Sequence, residues 1–210
     1  FAFDGDGDRL IVVDDKGNEI DGDKIIALFA KYLINKKKTN SNFPVVTTVM
    51  SNLGLENFLL KDLGIKLKRS SVGDINVIDQ MKKYKSLLGG EQSGHIILSE
   101  FSKTGDGILA ALKITEIVST IKKSSSVIFN LYDNLPQIKV NISFGKISEK
   151  NKKLIKDLNK KKFKGKKIRF LIRFSGTEPL IRLLVEGQEL REVQQKSKML
   201  EIEIRNIIGQ

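Results

Sequence analysis

The amino-acid sequence predicts an α/β protein that contains more than one domain. Short apolar or β-branched runs alternate with segments whose apolar residues recur at helical spacing, and this alternation is typical of α/β domains. The chain has 210 residues, which is long for one small domain and sufficient for two. Around residues 124–136, a serine cluster, a short apolar piece and a proline interrupt the alternation and indicate a domain boundary.

Upstream of this boundary, the pattern predicts strands and helices in alternation. Strands are expected where apolar or β-branched residues run together, at residues 1–3, 10–13, 45–49, 65–69 and 96–98. Helices are expected where apolar residues lie three or four positions apart, at residues 23–33, 53–63, 74–84 and 107–121. Ser51 or Asn52 can cap the second helix and Gly64 can end it. Thr104 or Asp106 can cap the fourth.

Downstream of the boundary, the sequence predicts a second compact unit. Its predicted elements are a strand at 138–143, a helix at 149–158, strands at 167–174 and 180–187, and a helix at 191–208. Residues 175–179 join the two long strands.

The net charge of +12 suggests nucleic-acid binding, but the composition argues against it. Only seven of the 37 basic residues are arginine, which is the better residue for bidentate phosphate or base contacts. Much of the excess lies in residues 150–167, where Phe163 is the single aromatic, so stacking on bases is not supported. We interpret this run as a solvated helix face and loop, and expect no nucleic-acid partner.

Composition also indicates the cellular compartment in which the protein is expected to work. Cysteine is absent, which excludes disulfides and thiolate metal sites and predicts a reducing, cytoplasmic location. No apolar run is long enough to cross a bilayer, so no membrane partner is expected. The sequence opens at Phe1 inside a predicted strand, and we therefore expect it to be a fragment of a longer protein.

The first loop whose residues suggest a binding or catalytic role, here called the acidic loop, comprises residues 4–9. Asp4, Asp6 and Asp8 alternate with glycine, which allows three carboxylates to turn toward one hard cation such as Mg²⁺. An EF-hand would need glycine and glutamate where this chain has Arg9 and Asp15, and helices where strands are expected. A solvated acidic turn is the other alternative. The adjacent arginine, suited to a phosphate, favours a metal–phosphate site.

The second, here called the glycine-rich loop, comprises residues 89–95. Glu91, Gln92 and Ser93 can hydrogen-bond a polyhydroxyl ligand, and the glycines allow close approach of the backbone. His95 is the only histidine and can transfer a proton near neutral pH. Taken alone, the loop is better interpreted as a plain turn with a surface histidine.

The third, here called the arginine loop, comprises residues 173–179. Arg173, the hydroxyls of Ser175 and Thr177, and backbone N–H groups around Gly176 can form a pocket for a phosphate, with Arg182 just beyond. A tight turn between strands is the alternative, but it does not explain why so many donors converge. We therefore predict a phosphate site.

These three loops, in this order and at roughly this spacing, resemble the metal, sugar-binding and phosphate-binding loops of the α-D-phosphohexomutases. The resemblance extends over essentially the whole chain. Residues 90–95, 48–54 and 104–107 resemble the phosphoglucosamine mutase subgroup. The resemblance implies an isomerase that converts glucosamine 6-phosphate to glucosamine 1-phosphate through a bisphosphorylated sugar, feeding UDP-N-acetylglucosamine and cell-wall synthesis.

The resemblance also implies a four-domain architecture. Residues 1–17 would finish domain 2 and carry the metal loop, residues 18–132 would form domain 3 with a mixed sheet, and residues 133–210 would form domain 4, an α+β (TBP-like) domain. The preceding domains would carry the phosphoserine and would be partners of this chain, and without them we expect no activity. The resemblance leaves a homodimer of the intact enzyme open.

Residue roles follow from the same resemblance. Asp4, Asp6 and Asp8 would hold Mg²⁺, Arg9 would face the transferring phosphoryl group, and His95 would assist proton transfer. The hexosamine phosphate would be bound at its sugar by Glu91, Gln92 and Ser93, with Gln92 near the position that distinguishes substrates. The phosphate that is not reacting would be held by Arg173, Ser175, Gly176, Thr177 and Arg182.

Three positions depart from the family pattern. Phe174 stands where proline is usual, Ser71 where lysine is common, and Ile75 where arginine is common. Because that lysine is thought to help proton transfer or phosphate contact, this chain would depend more on His95.

Three alternatives to the proposed activity stay open at this point. The first is a phosphomannomutase or phosphoglucomutase of the same family. The second is a nucleic-acid-binding module, and the third is a sugar-phosphate-binding protein without catalysis.

Overall fold

The computed structural model describes residues 1–37, 43–161 and 168–209. Two compact units are present, Phe1–Asn134 and Leu135–Gln210. The predicted α/β class is confirmed. Within the described ranges, no helix is both long and apolar enough to span a bilayer.

The first unit contains two sheets and the helices that pack on them. Strands β1 (Ala2–Phe3), β2 (Leu10–Val13) and β3 (Glu19–Ile20) form a small antiparallel sheet in the order β1-β2-β3. The elements that follow are α1 (Gly22–Lys37), β4 (Val45–Thr48), α2 (Leu53–Leu63), β5 (Leu67–Ser70), α3 (Asp74–Tyr84), β6 (Leu88–Gly90), β7 (Ile96–Leu98), α4 (Gly107–Ile121) and α5 (Ser125–Phe129).

The larger sheet of this unit is mixed, with strand order β5-β4-β6-β7. Strand β4 is parallel to both β5 and β6, whereas β7 returns antiparallel to β6. All residues of β4 are buried, as expected for a parallel strand covered on both faces. Because β6 and β7 are neighbours, the loop between them, residues 91–95, is held at one edge of the sheet.

Burial of apolar side chains on α1 anchors the first unit. Ile25, Ile26 and Phe29 have at most 2% of their surface exposed, and they belong to one core with residues of β4, α2 and α4. Helix α2 begins where Asn52 accepts a hydrogen bond from Gly54 N, and it ends at Gly64, whose φ is +67°. Asp106 caps α4 by accepting from Leu109 N.

The second unit is an antiparallel sheet covered by two helices. Its elements are β8 (Gln137–Ser143), α6 (Glu149–Leu158), β9 (Arg169–Phe174), β10 (Leu180–Glu186) and α7 (Leu190–Ile208). Strand β10 is central, in the order β8-β10-β9. Ile181, Val185 and Leu200 are fully buried in the core that the strands share with the helices.

The structure corrects several predicted elements. Strand β6 extends into the stretch interpreted as the glycine-rich loop, because Gly89 and Gly90 do not show strand propensity in the sequence. The two-residue β3 and the five-residue α5 were also missed, since elements this short carry no periodic signal. Strand β5 begins at Leu67 rather than residue 65, and α1 continues to Lys37 rather than ending at residue 33.

Two predictions concern residues outside the described ranges. One is the predicted start of a strand at residue 167. The other is the end of the lysine-rich run, residues 162–167. The described part of that run forms α6, with Ile155 and Leu158 buried, and continues to residue 161.

Candidate active site

The acidic loop gathers its three carboxylates. Asp4, Asp6 and Asp8 each place one oxygen within 4.8 Å of the others. A turn with Gly7 at φ +75° closes the loop, and Gly7 N donates to Asp4 O at 3.2 Å. Asp8 Oδ1 is buried and has no hydrogen-bond donor within the described chain. Oxygen ligands in this arrangement fit a hard divalent cation.

Arg9 offsets part of the negative charge of this loop. Its Nε lies 2.6 Å from Asp4 Oδ2 and 3.7 Å from Asp8 Oδ1, and its backbone N–H donates to Asp4 Oδ1. Although desolvation opposes the shift, the hydrogen bonds and charge of Arg9 hold the pKa of Asp4 at about 2. Desolvation raises the pKa of Asp8, and the nearby His95 opposes that shift.

His95 joins the acidic loop to the glycine-rich loop. Arg9 and His95 form an antiparallel β-bridge, and Leu10 N donates to Gly94 O at 3.1 Å. The Nδ1 atom of His95 lies 3.0 Å from Asp8 Oδ2. His95 is only 4% exposed, so the alternative of a surface histidine is wrong. A hydrogen bond from Nδ1–H to Asp8 leaves Nε2 as the ring atom that can accept a proton.

The backbone of the glycine-rich loop turns tightly. Glu91 N donates to His95 O at 2.9 Å, and Gly94 N donates to Glu91 O at 3.0 Å. Gly94 has φ +94°, and a Cβ there would lie 2.2 Å from Leu10 O. Only glycine therefore allows this loop to pack against β2. Ser93 is exposed at the tip of the turn.

The side chains of this loop contact two other segments. Glu91 Oε1 accepts from Gly73 N at 3.0 Å, in the turn that precedes α3. Ser71 lies in the same turn and Ile75 in the first turn of α3, and both residues are exposed. Two of the three departures from the family pattern therefore lie within two residues of Gly73, which donates to Glu91. Gln92 Nε2 lies 3.3 Å from Asp21 Oδ2.

Asp23 is a site-adjacent residue that the sequence reasoning missed. It is completely buried in the first turn of α1, and its Oδ2 accepts from Asn52 N at 2.8 Å. Burial raises the pKa of Asp23 to about 6 against the opposing hydrogen bond from Asn52. An aspartate at the start of a helix is ordinarily an exposed residue that complements the helix dipole, so its sequence position gave no sign of burial.

The arginine loop lies in the second unit. Arg173 on β9 and Arg182 on β10 are direct cross-strand partners. The Nε atoms of both are buried without an acceptor within the described residues, and Arg182 also pairs with Glu178 at 2.7 Å. Burial and the charge of Arg182 lower the pKa of Arg173. Two neighbouring guanidinium groups with free donors favour a dianion between them.

The remaining predicted residues of the arginine loop form its tip. Ser175 N donates to Leu180 O at 2.8 Å, which closes the turn between β9 and β10. Gly176 and Thr177 are exposed, and a Cβ at Gly176 would meet no atom within 4 Å. The tip is therefore open to solvent above the two arginines.

Comparison with known proteins identifies the family. Residues 21–135 match the model of phosphoglucomutase/phosphomannomutase alpha/beta/alpha domain III, and residues 135–201 match the C-terminal domain of the same enzymes. The chain belongs to the phosphoglucomutase/phosphomannomutase family. The assignment of residues 1–17 to the end of a preceding domain stays a prediction.

Individual relatives support this placement. The chain is 43% identical to the phosphoglucosamine mutase of Natranaerobius thermophilus over 197 residues, covering 90% of the chain and 43% of that protein. It is also 43% identical to the phosphoglucosamine mutase of Campylobacter jejuni strain RM1221, covering 99% of the chain and 44% of that protein. The chain thus spans less than half the length of these curated relatives.

Solved structures share the fold. A phosphoglucomutase/phosphomannomutase family protein from Burkholderia thailandensis superposes with a TM-score of 0.80 at 23% identity, over 99% of this chain and 46% of that one. The Aspergillus fumigatus N-acetylphosphoglucosamine mutase in complex with GlcNAc-6P and magnesium gives 0.77 at 19% identity, over 99% of this chain and 48% of that one.

The packing of Gly105 against His95 generates a first prediction. A Cβ at residue 105 would lie 2.2 Å from His95 Nε2, so Gly105→Ala should push the imidazole away from Asp8. Because the chain has one histidine, its ring signals in an NMR spectrum are unambiguous, and we expect them to shift. Gly145→Ala is the matched control, since its Cβ would meet no atom within 4 Å. Unchanged ring signals in the Gly105 variant would contradict the packing described.

The buried carboxyl of Asp23 generates a second prediction. Its pKa rises from 3.8 to about 6 on folding, so the folded state binds the proton more tightly and loses stability as pH rises between these values. The shift corresponds to a loss on the order of 3 kcal/mol at neutral pH. We expect Asp23→Asn to gain stability relative to the unsubstituted chain between pH 4 and pH 7, measured by urea denaturation.

The control for this pH series is Asp62→Asn, at an exposed position on α2. Its stability relative to the unsubstituted chain should stay nearly constant over the same range. The free energy of unfolding of Asp23→Asn, relative to the unsubstituted chain, should grow with pH. If it does not, the carboxyl ionises as easily in the folded state as in the unfolded state.

Proposed function

We propose that this chain is part of a phosphoglucosamine mutase, which moves phosphate between O6 and O1 of glucosamine through a bisphosphorylated sugar. The observation that carries the proposal is the connection of the acidic loop to the glycine-rich loop through Asp8 and His95. This connection brings carboxylates suited to a cation next to a proton-transfer group and a sugar-binding loop. The 43% identity to phosphoglucosamine mutases over nearly the whole chain favours the amino-sugar substrate.

The acidic loop would hold Mg²⁺ through Asp4, Asp6 and Asp8. When bound, the ion would neutralise charge that develops on the phosphoryl oxygens. The buried Asp8 Oδ1, which lacks a hydrogen-bond donor within the described residues, supports this assignment. So does the presence of magnesium in the solved A. fumigatus relative.

Arg9 and His95 would act on the reacting end of the substrate. The guanidinium of Arg9, half-exposed and held by Asp4, would contact the transferring phosphoryl group and stabilise its charge. His95, whose Nε2 is buried in this structure, would assist proton transfer at the sugar hydroxyl that receives the phosphoryl group, while Asp8 stabilises the imidazolium through Nδ1. In this proposal the phosphoryl group comes from a phosphoserine of the full-length protein. That phosphoserine would lie in the part that corresponds to the region of the relatives that this chain does not span.

The glycine-rich loop and the arginine loop would hold the two remaining parts of the substrate. Glu91, Gln92 and Ser93 would bind the sugar hydroxyls and the amino group. The non-reacting phosphate would lie between Arg173 and Arg182, with Ser175, Gly176 and Thr177 supplying further donors at the loop tip. We also propose a cytoplasmic location, because the chain has no cysteine and its proposed substrate is an intracellular metabolite. Homodimer formation and the lack of nucleic-acid binding stay predictions.

The substrate assignment can be tested with the full-length gene product that contains this chain. Its kcat/KM for glucosamine 6-phosphate should exceed the values for glucose 6-phosphate and mannose 6-phosphate by about tenfold or more, because each buried group matched to a substrate donor adds discrimination. Removal of divalent ions with EDTA should abolish turnover, and Mg²⁺ should restore it. If the kcat/KM for glucosamine 6-phosphate is the lowest of the three, the chain is part of a phosphoglucomutase or phosphomannomutase instead.

The metal assignment can be tested separately. Asp6→Asn removes one negative ligand with little change in size, so the Mg²⁺ concentration that half-activates the full-length protein should rise about tenfold. Asp62→Asn is the matched control because it makes the same chemical change on the exposed face of α2. Equal Mg²⁺ requirements in the two variants would argue that the acidic loop does not hold the ion.

A further inference from the structure

We infer that Asp23 is a positioning residue for the glycine-rich loop, and that through Gln92 it determines how the sugar of the substrate is held. This inference rests on the proposed function. It concerns a residue that touches neither the acidic loop nor the arginine loop in the contacts described above.

The carboxylate of Asp23 connects two segments in the interior of the first unit. Its Oδ2 accepts from Asn52 N at 2.8 Å and lies 3.5 Å from Nε2 of Gln92. Asn52 is the residue that caps α2, so the carboxylate ties the start of that helix to the glycine-rich loop. Asp23 itself is completely buried, so water does not compete for these contacts.

The residues beside Asp23 fix the backbone of the same loop. Gly22 N donates to Gln92 O at 3.0 Å. A Cβ at Gly22 would lie 2.0 Å from Glu91 O, so the loop backbone packs directly on the start of α1. Gln92 is therefore held at its carbonyl by Gly22 and at its side chain by Asp21 and Asp23. Residues 21–23 therefore fix both the backbone and the side chain of Gln92.

The two carboxylates also orient the amide of Gln92. A carboxylate oxygen accepts hydrogen bonds and does not donate them, so Asp21 and Asp23 select the orientation in which Nε2 faces them. The amide oxygen then lies at the opposite end of the group. An acceptor held in that orientation suits a donor on the sugar, and the amino group of a hexosamine is a stronger, charged donor than a hydroxyl.

A role in fold stability alone does not explain why residue 23 is an aspartate. Asp23 has no salt bridge within the described residues, and a buried carboxyl of this kind lowers stability when it ionises, as the pH series above predicts. Its neutral isostere would keep the hydrogen bond from Asn52 without the buried charge. A residue that weakens the fold yet orients a substrate-binding loop is the combination expected at a functional site.

The test compares Asp23→Asn and Asp23→Ala with Tyr32→Phe. Tyr32 lies on the same helix, and Tyr32→Phe removes the hydroxyl that donates to Glu116. In the full-length protein, Asp23→Ala should raise KM for glucosamine 6-phosphate about tenfold with a smaller change in kcat, and Asp23→Asn should lie between it and the unsubstituted protein. The preference for glucosamine 6-phosphate over glucose 6-phosphate should fall in the same order.

An NMR comparison of the 210-residue chain separates this inference from the proposed function. The backbone signal of Asn52 and the side-chain amide signal of Gln92 should move in both Asp23 variants and stay in place in Tyr32→Phe. If these signals do not move, Asp23 does not hold the loop, whatever the activity. If they move while KM and the sugar preference stay within about twofold of the unsubstituted protein, the inference is also wrong.

A full-length protein without any mutase activity would count against the proposed function. The NMR comparison would then still decide whether Asp23 holds the loop. A finding that Asp23→Asn is more stable at neutral pH yet binds substrate more weakly would support the inference most directly, because a purely structural residue would change both properties in the same direction.

Discussion

The pairing of His95 with Asp8 is the interaction on which the candidate active site depends. The acidic loop precedes β2, whereas the glycine-rich loop joins β6 to β7, so nothing in the covalent chain brings the two together. The β-bridge between Arg9 and His95 aligns the backbones, and the contact at 3.0 Å between Nδ1 and Asp8 Oδ2 aligns the side chains. Gly94 and Gly105 make this approach possible, because a side chain at either position would occupy the space of Leu10 or His95.

The acidic loop and the arginine loop carry unbalanced charge of opposite sign. Three carboxylates share the acidic loop with one arginine, and two arginines share the cross-strand position in the second unit with one carboxylate, Glu178. The like charges within each loop repel one another in the absence of a ligand. A cation at the acidic loop and a phosphate at the arginine loop would relieve this repulsion. Such unbalanced charges are more typical of binding sites than of surfaces that serve only solubility.

The start of α1 shows how stability and substrate binding can conflict within one turn of helix. Ile25 and Ile26 in this turn contribute to the core of the first unit, while the neighbouring Asp23 places a carboxyl in the same interior. The apolar residues favour folding at every pH, whereas the carboxyl disfavours it once ionised. The geometry of Gln92 and Asn52 depends on that carboxyl, so the turn serves the glycine-rich loop as well as the core.

Local patterns in the sequence were sufficient for the bounds of several helices and for the choice of the loops as candidate sites. The helices Leu53–Leu63, Asp74–Tyr84, Gly107–Ile121 and Glu149–Leu158 have the predicted bounds, because apolar spacing and caps such as Asn52 act within a few residues. The alternating aspartates and the paired arginines could also be found, since ligand chemistry depends on residue type. Burial of His95 and Asp23, and strand β6 through two glycines, could not be found this way. These features arise from contacts between residues far apart in sequence, and packing against a distant segment leaves no signal in the residues that surround a position.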